Sequence, residues 1–317
     1  MLTGAVYAIT GQTRLGGFFV FSWFSLMGFF LLYRAFCIAV PTGDQRRYAI
    51  LALFMPSLAF WPSSIGKDAW MVLCIGLAAY GVAVLLSGRP WGAAVMGLGL
   101  AGTSAVRPHI TLMLFVGLVA AYLVRRPTKR TVLGPVTRGL AVVLLLAGGA
   151  VVARSVESFF KVDDLTPAAV EQVLSRTEDR STKGEASYDP VDISSGVGLV
   201  LAPVTVLFRP FPNEAHNLEA LLASAEGTIV FGLVLLNLRR LAAAARLARG
   251  TPYLVMAAFY VSMFVFAFSS MGNFGILARQ RVQVLPFLFV FLALPAVVRR
   301  AEPGPRLTVR PVAGVRA

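Results

Sequence analysis

The feature that most restricts the fold of this chain is a series of ten apolar stretches along its 317 residues. A helix needs about 20 apolar residues to cross a hydrocarbon core of about 30 Å. Hydrophobic residues make up 57% of the chain and charged residues 14%, which excludes a soluble domain of ordinary composition. The apolar stretches are residues 17–40, 48–61, 69–86, 91–106, 110–124, 138–152, 196–207, 218–238, 252–271 and 282–298.

These stretches predict an all-α polytopic transmembrane bundle of about nine to ten spans. The stretch 196–207 is too short to cross, so we expect it to be re-entrant or interfacial. Placing the two most basic loops in the cytoplasm puts 18 of the 29 Lys and Arg residues on that side and 13 of the 15 Asp and Glu residues on the other. The richness in Arg, Ala, Gly and Val is typical of a high-GC bacterial genome. We therefore expect a multi-pass protein of the bacterial plasma membrane.

The same pattern predicts how the chain is divided. Residues 1–317 form a single integral membrane domain, and residues 299–317 form a basic cytoplasmic tail. Residues 155–193 form an extracytoplasmic loop, in which Thr166 and Pro167 mark the start of a short helix that continues to about Leu174. The rest of this loop is polar. This division excludes a large soluble catalytic domain.

Several functional classes are disfavoured by the residues present. The net charge of +14 is dispersed over short loops, whereas nucleic-acid binding needs basic residues on one soluble face. Cys37 and Cys74 both lie in apolar stretches, so we expect no disulfide. His109 and His216 lack neighbours at ligand spacing, so we expect neither a metal site nor a cofactor. The glycines of GLGLAG (97–102) lie inside an apolar stretch, where they indicate helix packing rather than a dinucleotide site.

The run FMPSLAFWPSSIGKDAW (54–70) interrupts an apolar stretch with two prolines. Proline removes an amide donor, and the residue before it avoids the helical conformation. We therefore expect the backbone to unwind near the outer membrane boundary, at Pro56 and Pro62. Broken helices at membrane depth occur where they face protein or a water-filled cavity. The alternative is an ordinary polar turn in which Lys67 pairs with Asp68.

Cations collect on the side predicted to face away from the cytoplasm, where the positive-inside rule gives no reason for them. Each could be an interfacial anchor, but arginine is also suited to bidentate recognition of phosphate. A lipid-linked pyrophosphate would be presented at this depth. The residues predicted to bind substrate are Lys67, Arg107, His109, Arg209, Arg279, Gln280 and Arg281.

A carboxylate inside an apolar stretch is the strongest single candidate for a catalytic residue. Glu226 lies about two turns inside the stretch 218–238, where an ionised group costs about 2.5–3.5 kcal/mol and should face a cavity or a cation. A structural ion pair with an outer arginine is the alternative. Glu214 and Asp68, in polar turns, are alternative general bases.

Five segments of the chain together carry a resemblance: FVFSW (19–23), PSLAFWPSSIGKDAW (56–70), VRPH (106–109), LFRPFPNEAHN (207–217) and GNFGILARQRVQVLPF (272–287). With these segments the chain resembles a group of actinobacterial polytopic membrane proteins. This group is loosely related to lipid-linked-sugar glycosyltransferases of the GT-C type and to polysaccharide polymerases.

The resemblance implies an enzyme that takes a sugar from a polyprenyl phosphate or pyrophosphate on the outer face and transfers it to a glycan or lipid acceptor. In similar proteins an Asp-containing loop among further N-terminal spans carries the base. We expect this chain to begin after that region, so that either Glu226 or a neighbour is the base, or the chain is shortened or inactive. A transporter or flippase of a lipid-linked or anionic solute, and a non-catalytic cell-envelope scaffold, are the alternatives.

Overall fold

The computed structural model describes residues 2–11, 13–125, 134–182, 187–193 and 195–295. These residues form fifteen α-helices, two 3-10 turns and one isolated β-bridge between Ser187 and Asn273. The predicted tail, 299–317, lies outside the described residues. The helices are α1 (Leu2–Thr10), α2 (Arg14–Ala39), α3 (Gln45–Phe54), α4 (Pro56–Phe60), α5 (Lys67–Leu86), α6 (Gly92–Ser104), α7 (Pro108–Val124), α8 (Gly134–Phe160), α9 (Pro167–Ser181), α10 (Gly196–Phe208), α11 (Leu218–Leu236), α12 (Leu238–Ala248), α13 (Pro252–Phe268), α14 (Phe274–Arg281) and α15 (Leu285–Leu292).

The all-helical architecture is confirmed, but the expected count of nine to ten spans is not supported. Within the described residues, α2, α5, α8 and α11 are long and apolar enough to cross a membrane, and the bent pair α14–α15 would be a fifth crossing. The apolar helices α6, α7, α10 and α13 have 13, 17, 13 and 17 residues. At 1.5 Å per residue they reach about 20–26 Å, which is shorter than the hydrocarbon core. The apolar pattern located these helices, but counting nearly every apolar stretch as a crossing overestimated the number of spans.

The surface of the long helices indicates that the chain is a membrane protein. Only 11% of the residues in the apolar segment of α8, and 17% in that of α11, are buried inside the protein. On α8, Leu144 and Leu146 are 62% and 71% exposed. Apolar surface on this scale is not left in contact with water, so lipid is the environment that these helices require.

The expected unwinding at the two prolines is confirmed. Met55 adopts an extended conformation between α3 and α4, as the residue before Pro56 should. Around Pro62 the chain forms a 3-10 turn, Trp61–Ser63, before α5 begins at Lys67. A second break separates α14 from α15, whose axes differ by 58°. Both breaks lie beside the candidate site described below.

Glycine permits close packing of α5 against its neighbours. A Cβ on Gly28 of α2 would lie 2.5 Å from the Val72 carbonyl oxygen of α5. A Cβ on Gly99 of α6 would meet the backbone of α5 at Ala78, and a Cβ on Gly102 would meet Cys74. The packing role predicted for the GLGLAG motif is therefore confirmed for Gly99 and Gly102, whereas Gly97 faces open space.

Helix α9 begins as the sequence predicts and continues further. The Thr166 side chain caps the helix by accepting a hydrogen bond from the Ala169 N–H. The helix extends beyond Leu174 to Ser181, because half-buried residues recur at helical spacing and the last turn is anchored. The Ser181 hydroxyl accepts a hydrogen bond of 2.9 Å from the buried Gly272 N–H. This contact ties α9 to the turn that precedes α14.

Candidate functional site

A buried carboxylate, Asp68, joins two arginines from distant parts of the chain. Asp68 lies in the first turn of α5 and is 0% exposed. Its Oδ1 accepts a hydrogen bond of 2.8 Å from Arg107, which is 4% exposed and precedes α7. Its Oδ2 accepts a hydrogen bond from Nε of Arg279 in α14. Both oxygens are thus occupied by guanidinium groups, so Asp68 holds α5, α7 and α14 together at one point.

Two glutamines extend this cluster. Gln280 Oε1 accepts a hydrogen bond of 2.8 Å from Arg107 and another of 2.8 Å from Nε2 of Gln283. Burial lowers the pKa of Arg107, and the adjacent Asp68 carboxylate opposes that shift. Asp68 and Gln280 together satisfy and orient the Arg107 guanidinium, as a buried charge requires.

Glu226 on α11 faces a cavity of about 360 Å³ between α4, α11 and α14. Its carboxylate accepts hydrogen bonds from the Ser57 amide, at 2.7 Å, and from the Ser57 hydroxyl. The Ser57 amide is free because Pro56 starts a new helix, and the first amides of a helix have no partner within it. The proline break in the sequence thus provides the donor that anchors Glu226.

Arg281 faces the same cavity and is 5% exposed. Its guanidinium donates a 2.9 Å hydrogen bond to the Leu207 carbonyl, near the C-terminal end of α10. Gly227 permits the close approach of α11 to the end of α10, because a Cβ there would clash with the Phe208 carbonyl oxygen. Among the described residues Glu226 and Arg281 form no direct ion pair, but the two opposite charges interact across the cavity.

A second, more open cleft of about 850 Å³ lies on the other side of α4. It is lined by Arg279, Ser63 and Ser64, among others, and shares Phe60 and Trp61 with the Glu226 cavity. The Arg279 side chain is 40% exposed, so one part of it contacts Asp68 while the other remains accessible. Arg281 therefore faces the Glu226 cavity and Arg279 faces the adjacent cleft.

Arg209 forms a third contact group with Glu214. Nε of Arg209 donates to both carboxylate oxygens, at 2.9 and 3.2 Å, and the Phe211 amide donates to the same carboxylate at 2.8 Å. The guanidinium also lies 4.3 Å from the centre of the Tyr188 ring, which stacks on Phe274 at the start of α14. Burial raises the pKa of Tyr188 to about 12. This group connects the segment 187–193 to α14 and lines neither cavity.

The Arg209–Glu214 pair predicts a pH dependence of stability. Burial raises the pKa of Glu214, but hydrogen bonds from Arg209 and the Phe211 amide lower it by a larger amount. The pKa of Glu214 therefore lies below its usual range. A carboxylate with a lowered pKa contributes stability above its unfolded-state pKa, and this contribution is lost as pH falls through its folded-state pKa. We expect the wild type to unfold at a higher temperature than Glu214→Gln at pH 7, and the gap to close below about pH 4. Glu219→Gln is the control, and an unchanged gap on acidification would contradict the expected behaviour.

Two of the predicted binding residues lie at the edge of this arrangement. Lys67 is exposed at the first position of α5, beside Asp68 but not paired with it. His109 packs against aromatic rings, with its ring centre 5.6 Å from that of Phe159 and 5.8 Å from that of Phe160. Neither residue lines the two cavities. The described part of the chain contains no group of His, Cys, Asp and Glu that could hold a metal ion.

The structure therefore brings most of the predicted residues together in three adjoining groups connected by α14, rather than in one pocket. Four arginines and three of the predicted carboxylates contribute to these groups, and a fourth carboxylate, Glu219, also lines the Glu226 cavity. Sequence reasoning missed Ser57, Gln283 and Tyr188. For Ser57 the proline before it was a usable signal, because that proline frees the Ser57 amide.

Comparison with known protein families, curated proteins and solved structures found no match. The geometry of the described residues is therefore the basis on which a function is proposed.

Proposed function

We propose that this protein is an enzyme of the bacterial plasma membrane that transfers a sugar from a polyprenyl phosphate or pyrophosphate to a glycan or lipid acceptor. The observation that carries the proposal is the Glu226 cavity, in which a carboxylate without a direct ion-pair contact and a buried arginine face the same largely apolar space. Such a space suits a ligand with a long apolar chain and an anionic head.

The apolar lining supports a lipid as the donor. Leu222 and Ile229 of α11 line the cavity and are 64% and 59% exposed on the outer surface of the bundle. Because these side chains reach both the cavity and the surface facing lipid, an isoprenoid chain can enter sideways from the bilayer. Burial of each methylene contributes about 0.8 kcal/mol, which favours a long chain.

The arginines account for the anionic part of the donor. Arg281 lies at the polar end of the cavity, and Arg279 lies two residues earlier on α14 with its side chain partly exposed in the adjoining cleft. Guanidinium groups bind phosphate oxygens through paired hydrogen bonds and stabilise the charge on a departing phosphate.

Glu226 is the carboxylate best placed to act as the general base. In the proposed step its carboxylate accepts the proton of the acceptor hydroxyl, and the hydroxyl oxygen forms a bond to the anomeric carbon. The bond from that carbon to the phosphate oxygen breaks, and the phosphate leaves with the electron pair. Asp68 and Glu214 were alternative bases, but their oxygens are occupied by arginines, so we assign them positioning roles.

Binding of polyprenyl phosphate tests the donor assignment without requiring the acceptor. We expect Arg279→Ala to weaken binding of polyprenyl phosphate by about tenfold, since loss of one hydrogen bond to a charged group costs about 1.5 kcal/mol or more. Arg180→Ala, which removes an exposed arginine from α9, is the matched control. Equal affinity of wild type and Arg279→Ala for the purified lipid would remove Arg279 from the donor site.

One observation favours transport of a lipid-linked solute as a second candidate. The chain is broken on two sides of the same cavity, between α3 and α4 and between α14 and α15. Paired interruptions around a central site are a feature of secondary transporters. Reconstituted vesicles distinguish the two functions: movement of a labelled polyprenyl phosphate between leaflets without sugar transfer would favour the transporter.

A further inference from the structure

We propose that Arg46, Arg47, Arg239 and Arg240 form a binding surface for the phosphate of an anionic phospholipid headgroup. These residues, called the arginine surface below, lie apart from the Glu226 cavity. They come from two segments of the chain, the first turns of α3 and α12.

The end of α15 brings the two segments together. The amide of Asp44, which caps α3, donates a 2.8 Å hydrogen bond to the Ala293 carbonyl. The guanidinium of Arg240 donates a hydrogen bond to the next carbonyl, that of Leu294. The start of α3 and Arg240 are thus held at adjacent carbonyl groups, which brings the charge of Arg47 near that of Arg240; both arginines are half-buried.

Among the described residues, the positive charge of the arginine surface exceeds the negative charge beside it. Burial lowers the pKa of Arg47, and the neighbouring charge of Arg240 lowers it further, whereas Asp44 opposes these shifts. Asp44 already caps α3, because its Oδ1 accepts a hydrogen bond of 2.9 Å from the Arg47 amide. Arg46 and Arg239 are exposed and add two more cations. An anion placed between these groups would relieve the repulsion.

The position of the arginine surface indicates a lipid headgroup rather than a soluble phosphate. The membrane-length helix α11 ends at Leu236, three residues before Arg239. Helix α12 then lies with Leu241 and Leu247 against the core of the bundle. Arg239 and Arg240 therefore lie just beyond the end of one apolar span, and Arg46 and Arg47 lie shortly beyond another, α2, which ends at Ala39. Both positions are at the depth where phospholipid phosphates are found. Arginine beside an anionic leaflet contributes about 1 kcal/mol per residue and can bind phosphate bidentately.

Lipid binding to the purified full-length chain in neutral detergent tests the proposal. The probes are phosphatidylglycerol, phosphatidylcholine and inorganic phosphate, with bound lipid counted by native mass spectrometry. We expect phosphatidylglycerol to bind at least about tenfold more tightly than phosphatidylcholine, and excess inorganic phosphate not to displace it. The same affinity for both lipids would overturn the proposal, and displacement by inorganic phosphate would show a soluble-anion site instead.

Two pairs of substitutions locate the site. Arg46→Gln with Arg239→Gln removes two exposed cations and should lower the affinity for phosphatidylglycerol several-fold without unfolding the protein. Arg47→Gln with Arg240→Gln should abolish the preference for the anionic lipid. Arg89→Gln with Arg125→Gln removes two exposed arginines from other loops and is the matched control. If the control pair lowers binding as much as the exposed pair, the effect is one of total charge and the proposed site is wrong.

Discussion

Replacing Glu226 by glutamine is expected to lower the rate of sugar transfer by about 100- to 10,000-fold, the usual contribution of a general base. Glutamine cannot accept the acceptor proton, but its side-chain oxygen can still accept the hydrogen bond from the Ser57 amide, and its NH2 group can donate to the Ser57 hydroxyl. The site should therefore keep its shape and its affinity for polyprenyl phosphate. The measurement is transfer of a radiolabelled sugar from a polyprenyl-linked donor, with donor binding determined on the same preparation.

Glu219 provides the matched control for this experiment. It lines the same cavity and lies two turns earlier on the same helix, but it is exposed. Glu219→Gln removes the same charge from the same helix, so we expect it to retain most of the transfer rate. If Glu219→Gln and Glu226→Gln reduce the rate equally, loss of charge is responsible and Glu226 is not the base. If Glu226→Gln transfers at the wild-type rate, the catalytic assignment is wrong.

Replacing Asp68 by asparagine is expected to lower the free energy of unfolding by about 3–5 kcal/mol, the range for removing one partner of a buried ion pair. Arg107 is 4% exposed and would lose its counter-charge. Arg279 would be affected less, because its side chain is 40% exposed and water screens its charge. The measurement is denaturation in mixed detergent micelles, with Asp163→Asn, which changes an exposed aspartate, as the control.

A double variant separates loss of the ion pair from loss of packing. If the uncompensated charge of Arg107 causes the destabilisation, Asp68→Asn with Arg107→Gln should be more stable than Asp68→Asn alone, because the buried charge is removed. Additive effects of the two substitutions would show that the two side chains act independently. In that case Asp68 would not be the point that joins α5, α7 and α14.

The helices and the breaks between them follow from local features of the sequence. Pro56 predicts the break before α4, and Thr166 with Pro167 predicts the start of α9; both predictions are confirmed. The glycines of α6 were correctly interpreted as packing residues at Gly99 and Gly102. These predictions succeed because the residues act on the backbone or the neighbouring helix directly, with no need to know the rest of the fold.

The length of the apolar helices could not be predicted as well. Hydropathy indicates where apolar residues lie, but a helix ends where the backbone turns. Helix α15, for example, ends after eight residues. The count of nine to ten spans was obtained by treating each apolar stretch as one crossing. The structure contains four helices of sufficient length in its described part, or five with the bent pair.

The side-chain contacts within the candidate site could also not be predicted from the sequence. Ser57 and Glu226 are 169 residues apart, and Asp68 and Arg279 are 211 residues apart. Sequence position identified which charged residues were unusual, but only the packing of α14 decides which carboxylate meets which arginine. For this reason the sequence favoured Glu226 as the base but left Asp68 and Glu214 as alternatives.

The most direct test of this account is a density map of the protein with bound polyprenyl phosphate. We expect the phosphate to lie beside Arg281 and within reach of Glu226. The isoprenoid chain should extend between Leu222 and Ile229 toward the bilayer. A well-ordered lipid at another place on the bundle, with the Glu226 cavity containing only water, would contradict it.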